Sequence, residues 1–531
     1  MRADLILHNS IVRTLNRGQP TAEAVVARAG QIVFVGDNSR AMGFKGPGTR
    51  VIDLAGKALL PGFIDAHQHQ LYMGLSSRHI DLRPGAVESI HEIVSLVADQ
   101  ASTVPETDWI EGYGFNDARL VERRNPTRDD LDRATGRHPV LMTRACGHLL
   151  AVNSRALELA GITRDTPDPP GGTIARDPAT REPTGVLRET AMALVRRVLP
   201  VPNDSTLRQA ILEGAATNLR HGITSVWEPS IEPDHLRVYR ALDADQRLPL
   251  RVTLAHKKVL RNGEVVALPR PFVGSMLSLV AIKLFQDGGF GGATAALSEP
   301  YTNEPDSTGQ LIWSQTELTE WVREIEEAGL GISIHAIGDA AIRSVLDAFN
   351  SLRGSNGTSS LLRIEHCGLP LPPLPDQIAQ SGVILVMQPT FLWFDGDVYL
   401  DRVGPERSRW LYPIRTLLAH GIHVAGSSDG PVVPDVNPLL GVYAAVTRMS
   451  KAGRKVAPEE AISLHEALSL FTLGAAYACG QADDRGSIKP GKMADMVVLG
   501  ADPFAVPVET LPDIPVERVF VGGREVQSAS T

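Results

Sequence analysis

Six side chains that could bind a metal ion lie in five short segments, and each segment ends an apolar run that predicts a β-strand. They are His67, His69, Lys283, His335, His366 and Asp429. Imidazole nitrogens and carboxylate oxygens bind divalent transition metals, and two histidines at i and i+2 on a strand end can point to one side. A single His-x-His pair is weak evidence, because a strand histidine is more often structural. Five such strand ends in one chain predict a metal-binding enzyme.

Eight apolar runs, separated by helical patterns, predict how these side chains could meet. The runs cover residues 60–65, 223–228, 250–256, 279–286, 331–336, 362–366, 383–388 and 422–427. A strand and helix that alternate eight times are typical of a (β/α)8 TIM barrel, an α/β fold whose active site lies at the carboxyl ends of the strands. All six candidate ligands fall at these ends. An open doubly wound sheet would instead gather functional residues at one switch point, so the closed barrel is the better prediction.

The two chain ends and one long connection fall outside the barrel pattern. Residues 1–58 and 481–531 contain short strand patterns, which we expect to join in one β-sandwich flanking a barrel domain of residues 59–480. The long connection after the first barrel strand predicts an inserted α/β subdomain at about 85–200. Its Pro- and Gly-rich end predicts a loop and hairpin that could serve as a lid.

The composition agrees with a catalyst that acts on small molecules. The chain has 531 residues, 43% of them hydrophobic, which is enough for a large core. A formal net charge of -9 with dispersed basic residues argues against a nucleic-acid or membrane-surface partner. The start lacks a signal peptide's apolar core, and no apolar run could span a bilayer, which predicts a cytoplasmic protein. Cys146, Cys367 and Cys479 are too few and too dispersed for a disulfide framework or a Cys-rich zinc site.

Several motifs identify a family resemblance that runs nearly from end to end. The segments PGFIDAHQH, IKLFQDGG, HAIGDAA, RIEHC, SSDGP and GSIKPGKMADMVVL resemble the amidohydrolase superfamily of metal-dependent hydrolases. The interior segments GYGFND, PTRDDLD, GHLLAVNSRAL, GGTIARD and TGVLRE resemble the branch that contains N-substituted formamide deformylases. The resemblance implies a barrel flanked by a β-sandwich, and it is more specific for the fold and the metal site than for the substrate.

The resemblance also implies roles for the candidate ligands. His67 and His69 would hold the more buried of two divalent ions, with zinc as the expected metal, and His335 and His366 would hold the more exposed one. Asp429 would bind the buried ion and accept a proton during catalysis.

Lys283 is the unusual member of the set, because an ammonium group cannot bind a cation. A free amine can react with carbon dioxide, and the resulting carbamate can bridge two metal ions as a carboxylate does. In the superfamily a carboxylated lysine on the fourth strand has this role, and Lys283 matches its position. The alternative is a lysine that pairs with Asp287 or caps the strand end, which would leave a site for one ion.

Five further residues are predicted to contact the substrate or to shape its site. His148 resembles a histidine that the branch places in its inserted domain, although a surface position is an equal alternative. Trp227 follows the second predicted strand and could line the site together with the neighbouring Glu228. Asp287 could orient a metal ligand. Phe391 and Trp393 could line an apolar substrate pocket, and core packing is the competing interpretation.

The function implied is the hydrolysis of amide-type C–N bonds in small, N-substituted and partly apolar molecules. A bound divalent ion lowers the pKa of water from about 15.7 to near 7, and Asp429 could pass the proton to the leaving nitrogen. A mononuclear deaminase or a lactone or ester hydrolase is the alternative among enzymes, and a non-catalytic binding relative is the alternative from another class. The expected partners are a small-molecule substrate and a second copy of the chain in a homodimer.

Overall fold

The computed structural model describes residues 2–83, 85–117, 119–144, 149–169, 172–260, 264–352 and 361–528. The chain folds as two compact units. The first combines Met1–Met73 with Leu207–Thr531, and the second is Gly74–Thr206.

Eight parallel strands form the central sheet of the first unit. They are β1 (Phe63–Asp65), β2 (Ile223–Ile231), β3 (Arg251–Lys257), β4 (Leu277–Phe285), β5 (Gly331–Ala336), β6 (Leu362–His366), β7 (Ile384–Met387) and β8 (Val424–Gly426). Each strand pairs with its sequence neighbour from β1 to β8, and the short strand Phe272–Val273 pairs with β4 in the antiparallel sense. The backbone N–H of Ala66 donates to the carbonyl of Gly426 (3.3 Å), which nearly closes the sheet into a barrel. The predicted barrel is confirmed.

Helices follow most barrel strands along the chain. One helix, Asn38–Met42, precedes the first barrel strand. The helices after it, apart from those of the second unit given below, are Gln70–Ser76, Asp204–Arg220, Pro233–Ala244, Gln315–Glu327, Asp339–Asn350, Leu374–Ser381, Pro389–Ser408, Ile414–Ala419, Pro438–Thr447, Leu464–Ser469 and Ala475–Ala478, with a π-helical turn at Leu470–Gly474. Buried apolar faces, such as Leu318, Val322 and Ile325 at i, i+4 and i+7 of Gln315–Glu327, explain why these segments are helical and where they pack. No helix in the described ranges is long and apolar enough to cross a bilayer.

The run predicted as one strand over residues 60–65 is divided between two sheets, so that prediction is wrong in its detail. Ala58–Pro61 pairs in the antiparallel sense with Met496–Leu499, and β1 begins only at Phe63. The division falls at Gly62, where an added Cβ would lie 2.3 Å from Oγ1 of Thr224. Only a glycine permits the close approach that redirects the chain there.

Segments near the two chain ends form two further sheets of the first unit. One has the strand order Arg524–Ser528, Val516–Val521, Met496–Leu499, Ala58–Pro61, Ile11–Arg13 and Thr21–Ala22. The other has the order Gln31–Gly36, Ala24–Arg28, Leu5–His8 and Arg50–Asp53. Side chains of both sheets share one buried apolar cluster. Arg251 of β3 forms a buried bidentate ion pair with Asp495 (2.7 and 3.0 Å), which joins the barrel to these sheets.

The second unit has a six-stranded sheet of its own. Its order is Gly172–Arg176, Pro183–Glu189, Leu149–Val152, Val140–Arg144, Ile110–Phe115 and Ile80–Asp81. Its helices are Ile90–Ala101, Arg128–Asp132, Ser154–Leu159 and Ala193–Arg196. The strands Gly172–Arg176 and Pro183–Glu189 pair as an antiparallel hairpin, which is where the Pro- and Gly-rich sequence lies.

Candidate metal centre

The candidate ligands lie at the carboxyl ends of barrel strands, where the backbone turns sharply. His366, the last residue of β6, has φ +76°, and Asp429, three residues after β8, has φ +60°. Residues other than glycine rarely adopt positive φ, and doing so costs about 1–3 kcal/mol. The barrel therefore holds two of the candidate ligands in conformations that their own backbones disfavour.

Asp429 lies among three of the predicted histidines. Its Oδ1 is 3.4 Å from Nε2 of His67 and 3.3 Å from Nε2 of His69, and its Oδ2 is 4.0 Å from Nδ1 of His366. His67, His366 and Asp429 are buried, and each offers one donor atom within 4.8 Å of the others. Residues separated by more than 360 positions in the chain thus form one potential metal-binding group.

His335 extends this group from β5. Its ring centroid lies 4.4 Å from that of His366. Its Nε2 lies 3.0 Å from the carbonyl oxygen of Gly288 and 3.4 Å from Oδ1 of Asp287. Four histidines and Asp429 are therefore gathered at one end of the barrel.

Lys283 lies inside the barrel on β4, opposite Ser333 of β5. Its side chain is 1% exposed, and its Nζ makes no hydrogen bond to any part of the chain that the structure describes. Burial lowers the pKa of Lys283 to about 8, although the charges of Glu365 and Asp429 act in the opposite direction. The uncharged amine is therefore much more accessible than in an exposed lysine.

Hydrogen bonds to buried neighbours fix the orientation of two histidines. Nδ1 of His67 lies 2.6 Å from Oε2 of Glu365, a carboxylate that also accepts from Oγ of Ser333 (2.7 Å) and Nε of Arg363 (2.8 Å). Nδ1 of His366 lies 2.7 Å from Oε1 of Gln388. Because both acceptors occupy Nδ1, the Nε2 lone pair of each ring is free to bind a metal.

Burial and nearby charges keep Asp429 ionised and His67 and His366 neutral, which are the protonation states that bind a metal. Burial would raise the pKa of Asp429, but the nearby His67, His69 and His366 hold it below its usual range, so the carboxylate is ionised. Burial lowers the pKa of His67 to about 4 and that of His366 well below its usual value. Metals bind neutral imidazole and ionised carboxylate, so this set is ready for binding at neutral pH.

Several buried polar atoms of the candidate centre lack hydrogen-bond partners among the described residues, as expected of atoms that bind a metal ion. Within the described ranges, three buried polar atoms here have no hydrogen-bond partner: Oδ1 of Asp429, Nδ1 of His69 and Nζ of Lys283. Buried polar atoms normally have partners, and leaving one without costs about 1–3 kcal/mol. A divalent ion held by nitrogen and oxygen atoms would satisfy the free oxygen of Asp429.

The residues predicted to contact the substrate have different environments. Phe391 stacks on His366, with centroids 6.0 Å apart and an interplanar angle of 11°. Trp393 instead packs edge-on against Tyr443 (5.5 Å). Trp227 is fully buried in the barrel core beneath the guanidinium of Arg363 (3.7 Å). His148 lies outside the described residues.

Asp287 and Glu228 are buried carboxylates that hold backbone segments. Asp287 accepts hydrogen bonds from the backbone N–H groups of Ala296 (2.9 Å), Ile337 (3.0 Å) and Gly338 (2.8 Å), so it orders the chain that follows β5. Glu228 accepts from the N–H of Leu71 (3.2 Å) and the hydroxyl of Tyr239 (3.1 Å), and burial raises its pKa to about 8.

Sequence reasoning did not find the hydrogen-bonding partners of the ligands. Arg363 and Glu365 stand in a buried strand, and Gln388 follows another. Two charged residues at i and i+2 in an otherwise apolar run were a usable signal, because such charges are buried only when they are paired.

Comparison with known proteins identifies the family. A family model for the amidohydrolase family matches residues 50–527. The chain is 32% identical to the amidohydrolase YtcJ of Bacillus subtilis (strain 168), over 99% of each chain. The chain belongs to the amidohydrolase family. This confirms the resemblance inferred from the motifs, and it makes the protein a hydrolase.

Two further relatives of this amidohydrolase extend the comparison. It is 29% identical to the N-substituted formamide deformylase of Arthrobacter pascens, over 98% of this chain and 97% of the other. Among solved structures, an uncharacterized metal-dependent hydrolase from Pyrococcus horikoshii OT3 superposes with a TM-score of 0.80 at 28% identity, covering 95% of this chain and 99% of the other. The amidohydrolase therefore shares its fold with the metal-dependent hydrolase from Pyrococcus horikoshii OT3.

Proposed function

We propose that this amidohydrolase cleaves amide-type C–N bonds in small, N-substituted and partly apolar molecules, with N-substituted formamides as the first candidates. The observation that carries the proposal is the position of Asp429, a buried and ionised carboxylate within 3.4 Å of Nε2 atoms of two histidines. The full-length similarity to a formamide deformylase supports the choice of bond.

Asp429 is proposed to move the proton that this reaction requires. It would accept the proton of the attacking water and return it to the leaving nitrogen, because an amine leaves poorly unless it is protonated. When bound, divalent ions would make water reactive at neutral pH and polarise the scissile carbonyl. His67 and His366, fixed by Glu365 and Gln388, would hold the centre in a constant geometry during these transfers.

We propose two zinc ions as the complete complement. His67, His69 and Asp429 would hold one ion, and His335 and His366 would hold the other. The neutral Nζ of Lys283 would add to carbon dioxide: an N–C bond forms, one C=O π bond opens to an oxyanion, and the nitrogen gives its proton to water. The resulting carbamate would offer carboxylate-like oxygens as metal ligands. The unpartnered Nζ supports this assignment.

A centre with one ion is the second candidate. It is favoured by the compact group of His67, His366 and Asp429, and by Nε2 of His335, which lies 3.0 Å from the carbonyl oxygen of Gly288. Such a centre would suit a deaminase or a lactone or ester hydrolase on the same fold.

Metal analysis followed by a substrate screen tests these proposals. The purified protein, with and without added zinc and bicarbonate, would be analysed for metal and assayed with formamides, other amides, carbamates, aminopurines and other amino-substituted N-heterocycles, and lactones. Two ions per chain and turnover of amides are the expected results. One ion with turnover confined to deamination or to lactones would favour the second candidate. Absence of metal after reconstitution would contradict both. The homodimer and the cytoplasmic location stay predictions.

A further inference from the structure

The helix Pro389–Ser408 carries a carboxylate without a partner close to the candidate metal centre. The helix begins directly after Gln388, which holds His366, and its residue Phe391 stacks on the His366 ring. Asp395 lies one turn after Phe391 and one turn before Tyr399. Because residues four apart share a helix face, these three side chains form one stripe that leads away from the metal ligands.

Aromatic rings accompany this stripe. Tyr399 stacks on Tyr412 (6.3 Å, 15°) and meets Phe290 at a steep angle (5.1 Å, 61°). Phe391 meets Tyr412 edge-on (6.2 Å, 80°). We call Asp395 together with these four rings the Asp395 cluster. Each ring is less than 7% exposed, so the surroundings of the carboxylate are largely apolar.

Two polar groups of the Asp395 cluster have no partner. Asp395 is half-buried, yet it makes no hydrogen bond or ion pair to any part of the chain that the structure describes. The hydroxyl of Tyr412 is fully buried and also lacks a hydrogen-bond partner within the same ranges. Protein interiors normally pair such groups, and an unpaired carboxylate in apolar surroundings is especially unfavourable. Burial raises the pKa of Asp395 to about 6, which reflects that cost.

Burial and nearby carboxylates keep the two tyrosine hydroxyls of the cluster protonated. Burial, and then the charges of Asp429 and Asp395, raise the pKa of the Tyr412 hydroxyl well above its usual value. Burial together with its neighbours Tyr412, Asp395 and Asp429 has the same effect on Tyr399. The group of the cluster that would itself attract a cation is the unpaired carboxylate of Asp395, which lies beside aromatic rings.

We propose that the Asp395 cluster binds a positively charged amine group of the substrate. An ammonium group forms a strong hydrogen bond with a carboxylate and is attracted to the faces of aromatic rings, and both are present here. This inference rests on the proposed function and narrows it to amides that carry a protonated amine.

The helix geometry sets the reach of such a substrate. Asp395 is one helical turn, about 5–6 Å along the axis, beyond the ring that stacks on His366. The Phe391 ring centroid is itself 6.0 Å from that of His366, so the charged group of the substrate would lie farther from the candidate ligands than Phe391 does. The part of the substrate between the charged group and the scissile bond would then pack against Phe391.

A pair of matched substrates tests the proposal on the metal-loaded enzyme. Both are N-arylalkyl formamides, and one ends in an aminomethyl group where the other ends in an ethyl group of nearly equal size. The variants are Asp395→Asn and, as a control, Asp401→Asn, which removes a charge of the same helix where the side chain is 64% exposed. Because Asp395 makes no hydrogen bond, its variant should fold normally, which a thermal melt would verify.

The expected result is a KM for the amine-bearing substrate at least about tenfold higher in Asp395→Asn, with kcat unchanged and with the uncharged substrate unaffected. Asp401→Asn should leave both KM values near wild type. Equal effects on both substrates, or no effect on either, would overturn the assignment.

A binding measurement keeps this test independent of the proposed function. If the wild-type enzyme turns over neither formamide, the choice of formamides as substrates fails, and titration calorimetry with phenethylammonium still reports on the cluster. An amine that bound only to a metal ion would bind equally well to wild type and variant, so a difference in affinity between them reports on the Asp395 cluster. Binding that is at least about tenfold weaker in Asp395→Asn than in Asp401→Asn supports the proposal, whereas equal affinities refute it.

Discussion

The backbone conformation at Asp429 favours glycine, whereas the contacts at this position require a carboxylate. Its backbone has φ +60°, a conformation that glycine adopts more easily, while its Oδ1 lies between the Nε2 atoms of His67 and His69. Keeping a side chain in this conformation has a cost in free energy. The presence of aspartate therefore indicates that the carboxylate itself is required. Asparagine tolerates positive φ as well as aspartate does, so Asp429→Asn isolates the chemistry of the carboxylate.

We expect Asp429→Asn to lower kcat by a factor of about 100 to 10,000, the usual cost of losing general acid–base catalysis. KM should change less, because the backbone and the neighbouring histidines are retained. Steady-state kinetics on wild type and variant at matched metal content would check this.

Comparing two leaving groups separates the two roles of Asp429. A poor amine leaving group must be protonated before it departs, so its substrate should lose more rate than one with a good leaving group. Equal losses at constant metal content would show that Asp429 acts as ligand and base only, and that another residue protonates the nitrogen.

We expect Lys283→Ala to lose one metal ion and nearly all activity, because alanine cannot form the bridging carbamate. Short carboxylic acids should restore part of the activity by occupying the space that the buried side chain leaves. Metal analysis and assays with and without added acetate would check this. A fully active variant without added acid would show that there is no bridge.

The sequence could predict that the candidate ligands lie close together, whereas it could not predict which buried side chain each of them pairs with. His67, His366 and Asp429 follow apolar runs, and the barrel pattern brings such positions together. The bond from His67 to Glu365 joins residues 298 positions apart and depends on strand register, which hydrophobic periodicity leaves open. The contact of Trp227 with substrate stays a prediction, and its ring is fully buried in the barrel core.

At the scale of elements, β2 and the helix Gln70–Ser76 are joined by the buried carboxylate of Glu228. That helix starts directly after His69, and its residue Leu71 donates its backbone N–H to Glu228. Burial raises the pKa of Glu228 from 4.5 to about 8. Between these pH values the folded protein binds more protons than the unfolded chain, so the free energy of unfolding falls as the pH rises.

Glu228→Gln should therefore stabilise the protein at high pH and change little at low pH. Glutamine can accept from Leu71 without carrying a charge, and the expected gain at pH 8 is on the order of 1–3 kcal/mol. Thermal melts at pH 5 and pH 8 would measure it, with the exposed Glu320→Gln as the control. Equal destabilisation of Glu228→Gln at both pH values would contradict this account.

Apolar runs in the sequence predict the positions of seven barrel strands but miss the boundary of the first. The predicted runs match β2 to β8 closely, because buried parallel strands are continuous apolar segments with polar ends. The run at 60–65 did not show its division, since Ala58–Pro61 and β1 are both buried. The deciding contact, between Gly62 and Thr224, joins residues that the sequence separates widely.

At the scale of the whole molecule, the candidate ligands lie where the barrel closes. The N–H of Asp429 donates to the carbonyl of His67 (2.9 Å), which links the segments after β8 and β1. Further ligands extend from β5 and β6, so a bound ion would connect strands that are distant in sequence. A metal that binds the folded state alone stabilises it by mass action, by about 2.7 kcal/mol when its free concentration is 100 times Kd.

We therefore expect removal of the metal to lower Tm by several degrees, and added zinc to restore it. Without the ion, the buried donors keep their desolvation cost but lose the partner that offsets it. Differential scanning calorimetry at a fixed scan rate, before and after chelation, would measure the shift. If the two compact units melt separately, only one transition should move, because all the candidate ligands within the described ranges belong to the unit that contains the barrel. The matched control is a variant that lacks His67 and Asp429, whose Tm should not respond to the chelator. A wild-type Tm that is also unchanged by chelation would show that the barrel closes without help from a metal.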